Sequence, residues 1–92
     1  MHKSKLIKLL REYGEAIINY ESTESKKFKY VVATIDFDNT HIQTKHNRAK
    51  ETEDTVLVFC WDIDSFKLIK ADNVTSVIPL NKELKNELWG IQ

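Results

Sequence analysis

Hydrophobic side chains recur at helical spacing near the start of the chain. Ser4, which can act as an N-cap, precedes this segment, and Gly14 follows it at a position where glycine can end a helix. The apolar positions between them are Leu6, Ile7, Leu9, Leu10 and Tyr13. This spacing predicts a helix of about two to three turns that ends at Gly14. A longer helix through Asn19 is the alternative, but the β-favouring composition of residues 16–20 favours a strand there.

After the helix, the pattern is typical of short strands separated by polar connections. The segments dense in β-branched and aromatic residues are 16–20, 28–37, 55–61, 66–70 and 74–80. Because most connections are short, consecutive strands are expected to pair antiparallel, and five of them predict an SH3-like small barrel. Asn81 is expected to cap a last helix through Trp89. The predicted fold is α+β and mainly β: an N-terminal helix, a five-stranded antiparallel SH3-like barrel and a C-terminal helix.

One connection is much longer than the others. Residues 38–54 are predominantly polar and carry a run of charges around Lys50 and Glu51. A loop of that length inside a compact domain is unusual and is either mobile or functional.

The composition is that of one globular domain covering residues 1–92. The apolar fraction is 41%, and 14 basic residues balance 14 acidic ones, so no net field draws the chain to nucleic acid or anionic lipid. Residues 1–30 nevertheless carry a basic excess and residues 31–64 an acidic excess. The fold can therefore present one basic and one acidic face.

The single cysteine and the hydropathy pattern bear on the cellular setting. With only Cys60, no intramolecular disulfide can form, which is typical of a reducing compartment. The first residues lack the apolar core of a signal peptide, and no segment approaches the length of a transmembrane helix. We therefore expect a cytoplasmic protein without a membrane partner.

The segment 36–40 (DFDNT) follows an apolar strand and resembles the first motif of the haloacid dehalogenase phosphotransferases. That resemblance implies a magnesium-dependent phosphohydrolase in which Asp36 attacks phosphorus and Asp38 works as acid and base. The family needs a parallel sheet with crossover helices, and the residues after Thr40 instead have the pattern of antiparallel strands. The expected role of the two aspartates is therefore a solvated strand end, and the phosphohydrolase is the alternative function.

No other residues form a spacing typical of a metal or catalytic site. Asp62 and Asp64 repeat the two-residue interval, but aspartate in such a segment is ordinary turn chemistry. His41 and His46 have no zinc-site spacing, and with Gly14 and Gly90 as the only glycines no phosphate-binding loop can be built. The sequence predicts no catalytic residues, no metal and no cofactor, and hence a protein that is not an enzyme.

Lysines alternate with aromatic side chains in two of the predicted strands. Small barrels bind nucleic acid with such surfaces, using lysine for phosphates and flat rings for bases. The alternative is that these lysines only protect strand edges against aggregation. The candidate nucleic-acid-binding residues are Lys26, Lys27, Lys29, Tyr30, Lys67 and Lys70.

An apolar patch near the C-terminus has no predicted partner in the barrel. It consists of Leu84, Leu88, Trp89 and Ile91, which are the candidate protein-interface residues. Such a patch predicts a contact with a protein partner or a homodimer. The loop 38–54 is the other expected contact for a protein partner.

Residues 57–80 (LVFCWDIDSFKLIKADNVTSVIPL) resemble the C-terminal half of small phage-encoded SH3-fold proteins related to the WYL-type barrel. The shared pattern is a strand, an acidic turn, the Ser65-Phe66-Lys67 stretch and an asparagine–valine segment. The chain departs from it by lacking a glycine in the first hairpin, by replacing a tryptophan–arginine pair and by adding a C-terminal helix. The arginines that would carry ligand binding in WYL-type domains are also absent.

The resemblance implies a barrel and a phage accessory protein that acts in the cytoplasm of the host. We therefore expect a non-enzymatic protein that binds a host or viral macromolecule, either nucleic acid or protein, of the kind that modulates host defence or gene expression.

Overall fold

The structure, a computed structural model, describes residues 1–47 and 49–80. An N-terminal helix precedes five strands, with a helical turn between the second and third strands and a 3-10 turn before the fifth. The elements are α1 (Lys3–Tyr13), β1 (Glu15–Glu21), β2 (Phe28–Thr34), α2 (Thr40–Gln43), β3 (Thr55–Cys60), β4 (Ser65–Lys70), the 3-10 turn (Ala71–Asn73) and β5 (Val74–Pro79). The predicted N-terminal helix and the mainly β character are confirmed.

The five strands form one antiparallel sheet in the order β4-β3-β2-β1-β5. The pairs β1–β2, β2–β3 and β3–β4 are antiparallel, as predicted for consecutive strands. The prediction is wrong for β4 and β5, which do not pair with each other, and β5 pairs with β1 instead. β4 and β5 are therefore the two edges of the sheet within the described part of the chain. No helix in that part has the length and hydrophobicity needed to cross a membrane.

Helix α1 begins with a different N-cap from the predicted one but ends at the predicted residue. Its N-cap is His2, without a side-chain hydrogen bond, so the prediction of a Ser4 cap is wrong. The first intrahelical bond runs from the Leu6 amide to the His2 carbonyl at 3.0 Å. The predicted stop at Gly14 is confirmed: its φ of 74° lies where side chains other than glycine are strained, and its amide donates to the Leu10 carbonyl.

The core lies between α1 and one face of the sheet. Leu6 and Leu10 of the helix are fully buried, and so are alternate residues of β1, Ala16 and Ile18. This alternation is the period of two that a strand with one buried face requires. The remaining core residues are Tyr20, Val31, Ala33, Val56, Val58, Cys60, Ile69, Ala71 and Val74.

One buried polar side chain joins the helix end to the sheet. The Thr34 hydroxyl donates to the Gly14 carbonyl at 2.9 Å and accepts from the Asp36 amide at 3.1 Å. These two bonds satisfy the hydroxyl inside the protein, which a buried polar group requires. They also end β2 at Thr34, whereas the sequence predicts a strand that continues to residue 37.

The long loop contains structure that its polar composition hides. Asn39 caps α2 by accepting from the His41 amide at 2.9 Å, and Ile42 in that helical turn is almost fully buried. The prediction of a continuous loop over residues 38–54 is therefore wrong at this helical turn, which the buried Ile42 anchors. The predicted C-terminal helix, residues 81–89, lies outside the described residues.

Candidate functional site

A groove of about 400 Å³ lies between the first half of β2 and the turn that joins β3 to β4. We call it the β2-edge groove. It is lined by Tyr20, Phe28, Lys29, Tyr30, Val31, Asp62, Ile63 and Lys67. Aromatic rings, two lysines and one carboxylate therefore surround one concave surface.

The groove exists because the pairing of β2 with β3 stops early. The registered pairs are Ala33–Cys60 and Thr34–Phe59. One more hydrogen bond follows, from the Trp61 amide to the Val32 carbonyl at 2.7 Å. The chain then turns towards β4, whose first residue Ser65 pairs with Cys60. Within residues 1–47 and 49–80, no strand lies beside residues 28–31 on that side.

Three large apolar side chains line the groove and remain exposed. Phe28 is 74% exposed, Tyr30 is 59% exposed and Ile63 is 52% exposed. Single exposed apolar residues are common on protein surfaces, but three in one concave region form a patch that typically marks an interaction site.

Two lysines flank the buried ring of Tyr20. The Lys67 ammonium lies 5.3 Å from the centre of that ring, which is a cation–π contact. Lys29 is the cross-strand partner of Tyr20 in the β1–β2 register, so its side chain leaves the sheet on the same face. Both lysines also border an adjacent hollow of about 270 Å³ beside the turn 22–27. The two lysines thus form one wall of the groove, and the adjacent hollow also includes Glu21 and Glu24. Because side chains alternate between faces along a strand, Lys29 leaves β2 on the face opposite to that of Phe28 and Tyr30.

Asp62 is the carboxylate of the groove, and its position is fixed by the main chain. One of its oxygens, Oδ1, accepts from the Val32 amide at 3.1 Å. This bond replaces the one that β3 would supply if the ladder continued. Asp62 therefore closes the end of the β2–β3 ladder and places a negative charge opposite the lysines.

The predicted nucleic-acid residues divide into three groups. Lys29, Tyr30 and Lys67 line the β2-edge groove together. Lys26 and Lys27 are exposed in the turn just before Phe28, and Lys26 adopts a left-handed conformation with φ of 60°. Lys70 lies at the opposite end of β4, where its ammonium is 3.9 Å from a carboxylate oxygen of Asp54, so it does not join the groove.

Five groove residues were not among the predicted site residues: Tyr20, Phe28, Val31, Asp62 and Ile63. Tyr20 and Lys67 meet only because the sheet curves, and no spacing along the chain indicates that contact. Ile63 carried a usable signal, since an isoleucine between two aspartates in a turn is an apolar residue without an obvious core position.

The DFDNT segment forms a turn. The Asp38 amide donates to a carboxylate oxygen of Asp36 at 3.2 Å, and both aspartates are exposed. Asn39 caps α2, so two polar side chains of the segment, those of Asp36 and Asn39, accept hydrogen bonds from nearby main chain. Within residues 1–47 and 49–80, no three His, Cys, Asp or Glu side chains come together as a possible metal site.

Asp64 connects the β3–β4 turn to the α2 region. One carboxylate oxygen is 2.6 Å from Nε2 of His41 and the other is 2.8 Å from the Lys45 ammonium. The hydrogen bonds from Lys45 and then His41 lower the pKa of Asp64. The His41 ring also stacks on Trp61, with centroids 6.1 Å apart. These contacts hold α2 against an aromatic cluster that continues through Phe59, Phe66 and Phe37. His46, the other histidine of residues 38–54, is exposed.

Two other hollows offer less to a ligand. One of about 610 Å³ lies near the start of α1, but charged groups on its wall are already engaged: Lys3 with Glu51, and Asp54 with Thr52. The other, about 240 Å³, lies beside Gly14 and Thr34. The Trp61 Nε1 donor is buried there without a hydrogen-bond partner among the described residues.

The predicted protein-interface residues Leu84, Leu88, Trp89 and Ile91 lie outside the described residues. Comparisons with known proteins add no relative: no family model, no curated protein and no solved structure matches the chain. The β2-edge groove is therefore the surface from which a function can be argued.

Proposed function

We propose that this domain is a non-enzymatic protein that binds single-stranded nucleic acid in the β2-edge groove. The observation that carries the proposal is the set of exposed rings, Phe28 and Tyr30, in one groove with Lys29 and Lys67. Aromatic side chains stack on bases of any sequence, and lysines contact the phosphates beside them.

The spacing of the two rings supports a single strand over a duplex. Phe28 and Tyr30 are two residues apart on β2, so their side chains leave the same face about 7 Å from each other. Bases in duplex DNA are spaced at about 3.4 Å along each strand. Two bases can each occupy one ring only if they are unstacked from each other, which a single strand permits.

The charge of the groove predicts modest, salt-dependent affinity. The chain has a formal net charge of zero, so attraction depends on local lysines and not on the field of the whole protein. Lys29 and Lys67 line the groove against one carboxylate, Asp62, and the exposed Lys26 and Lys27 precede it. Each phosphate contact adds a counterion-release term that salt weakens.

The SH3-like barrel and the phage accessory role belong to the same proposal. The strand order returns β5 to β1, and the Asn73 side chain donates to the Thr23 hydroxyl at 2.8 Å between the β4–β5 connection and the β1–β2 turn. That bond joins the segments flanking two neighbouring strands, whereas the contact of Lys67 in β4 with Tyr20 in β1 supports a strongly curved sheet of the barrel kind. A small cytoplasmic barrel that binds single strands would suit a phage protein acting on viral or host transcripts or replication intermediates.

The test is fluorescence anisotropy with labelled single-stranded DNA and RNA at low ionic strength. We expect wild-type protein to bind, and Phe28→Ser and Tyr30→Ser each to weaken binding about tenfold, since a base–ring stack contributes about 1–3 kcal/mol. Ile78→Ser is the matched control, because Ile78 is also an exposed apolar strand residue (44%) but lies on β5. Absence of binding by wild-type protein to every single strand would reject the proposal.

A further inference from the structure

The direction of the main-chain groups along β2 follows from its hydrogen bonds. The Val32 carbonyl accepts from the Trp61 amide, and the Val32 amide donates to Asp62 Oδ1. Both groups of Val32 therefore point away from β1 and towards β3. In an antiparallel ladder this direction alternates with each residue. The β1–β2 register is continuous from Glu15–Thr34 to Glu21–Phe28. The main-chain N–H and C=O groups of Tyr30 and Phe28 therefore point away from β1, as those of Val32 do.

At Tyr30 and Phe28 these main-chain groups have no partner among the described residues. At Val32 they are satisfied by the end of β3 and by Asp62. Beside Tyr30 and Phe28, β3 no longer pairs with β2. The β2-edge groove lies where the neighbouring strand would be. The groove therefore contains an N–H donor and a C=O acceptor side by side on Tyr30, and a second such pair on Phe28.

A ligand that forms hydrogen bonds with both the N–H and the C=O group of one of these residues must have an acceptor next to a donor. A phosphate has acceptors only and would leave the carbonyl facing an anion. The hydrogen-bonding edge that a base uses in pairing has both kinds of group, for example the O4 acceptor and the N3–H donor of thymine or uracil. An extended peptide also has both, as in strand addition. The two lysines of the groove favour the polyanion.

We propose that the open main chain of Tyr30 binds the pairing edge of a nucleobase, while Lys29 and Lys67 contact the phosphates. This inference rests on the proposed function and adds to it how the base is held. It gives a chemical reason for single-strand selectivity, because the pairing edge of every base in a duplex is already occupied by the opposite strand.

The experiment compares two isomeric oligonucleotides of about eight nucleotides. In one, every base is thymine, which is uracil with a methyl group at C5, away from the pairing edge. In the other, every base is N3-methyluracil, in which the same methyl group replaces the N3–H donor. The two have the same charge and mass. We expect the thymine isomer to bind about fivefold or more tightly, since one hydrogen bond of about 1 kcal/mol is lost in the other.

Amide hydrogen exchange measured by NMR gives the second readout. The Tyr30 amide should exchange rapidly in the free protein and become protected by the thymine isomer but not by the N3-methyluracil isomer. Equal affinity of the two isomers, or a Tyr30 amide that stays unprotected in the complex, would overturn the inference and leave the proposed function standing. If neither isomer binds, or if only an extended acidic peptide protects the Tyr30 amide, both the proposed function and the inference are wrong.

Discussion

The ammonium of Lys67 lies 5.3 Å from the centre of the Tyr20 ring, although their strands are not neighbours in the sheet. Lys67 is in β4 and Tyr20 in β1, with β3 and β2 between them in the strand order. Only a strongly curved sheet brings these two residues into contact. The curvature places the positive charge of an edge strand beside the open half of β2.

This contact predicts the effect of removing the Lys67 charge. Lys67→Met keeps an unbranched apolar side chain against the Tyr20 ring but removes the cation. We expect weaker binding of single-stranded oligonucleotides, and a plot of log affinity against log salt whose slope decreases by about one phosphate contact. Loss of the cation–π contact should lower the free energy of unfolding by only about 0.5–1 kcal/mol. Anisotropy titrations at several salt concentrations and urea unfolding measure the two effects.

Lys70→Met is the matched control. Lys70 is in the same strand, but its ammonium is near Asp54 and away from the groove. Its removal should leave both affinity and salt slope unchanged. If Lys70→Met weakens binding as much as Lys67→Met, the lysines act through general charge, and the groove is not the binding site.

Removal of the buried Thr34 hydroxyl should destabilise the junction between α1 and the sheet. Thr34→Val keeps the shape but removes the hydrogen bonds to the Gly14 carbonyl and the Asp36 amide. We expect the free energy of unfolding to fall by about 1–2 kcal/mol, because two polar main-chain groups lose their partner. Urea denaturation followed by circular dichroism measures it. Thr75→Val, at an exposed hydroxyl in β5, should cost clearly less; equal losses would contradict a special role for Thr34.

Glu51 predicts a pH dependence of stability. The Leu57 amide donates to its Oε1 at 2.9 Å, and this bond, with smaller help from Lys3, holds the pKa of Glu51 below its ordinary value of 4.5. A carboxyl whose pKa is lower in the folded state contributes stability that is present above about pH 4.5 and is lost as the pH falls through the folded value. Glu51→Gln keeps an acceptor for Leu57 but removes the charge.

The stability advantage of wild type over Glu51→Gln should therefore be constant near neutral pH and shrink below pH 4.5. Urea midpoints measured from neutral to acidic pH give this difference directly. Glu53→Gln is the control, since Glu53 is exposed and has no ion pair or side-chain hydrogen bond among the described residues. An advantage that stays the same at low pH would contradict the contribution of the Glu51 charge.

Local pattern was sufficient to predict the N-terminal helix and the five antiparallel strands. The β-favouring composition of residues 16–20 located β1, and Gly14 marked the end of α1 because few other residues adopt its conformation. The errors lie where side chains bond to nearby main chain: Thr34 ends β2 early, and Asn39 starts a helical turn inside a polar loop. Such bonds depend on the local path of the chain, and periodicity does not register them.

The site was predictable only in part for a different reason. The alternation of lysines and rings at the start of β2 indicated Lys29 and Tyr30, and the residues after the β3–β4 turn indicated Lys67. The open edge of β2 depends on the point at which β3 leaves the sheet, which is fixed by tertiary packing. Tertiary packing also explains the position of Lys70, which matches the sequence pattern but lies at the end of β4 away from the groove.

Cys60 gives a chemical probe of the folded state. Its thiol is fully buried in β3, and this burial, with a smaller contribution from Asp62, raises its pKa to about 12. Because the thiolate is the reactive form, we expect iodoacetamide at mildly alkaline pH to label native protein very slowly and to label it faster in step with urea unfolding. Mass spectrometry measures the labelled fraction.

The control is a variant with Cys60→Ala and Ile63→Cys. Its new thiol, at an exposed position of the groove, should react without denaturant and be protected by a bound oligonucleotide. Rapid native labelling of wild-type protein would show that β3 opens readily, which is incompatible with a β3 that forms a fixed wall of the core.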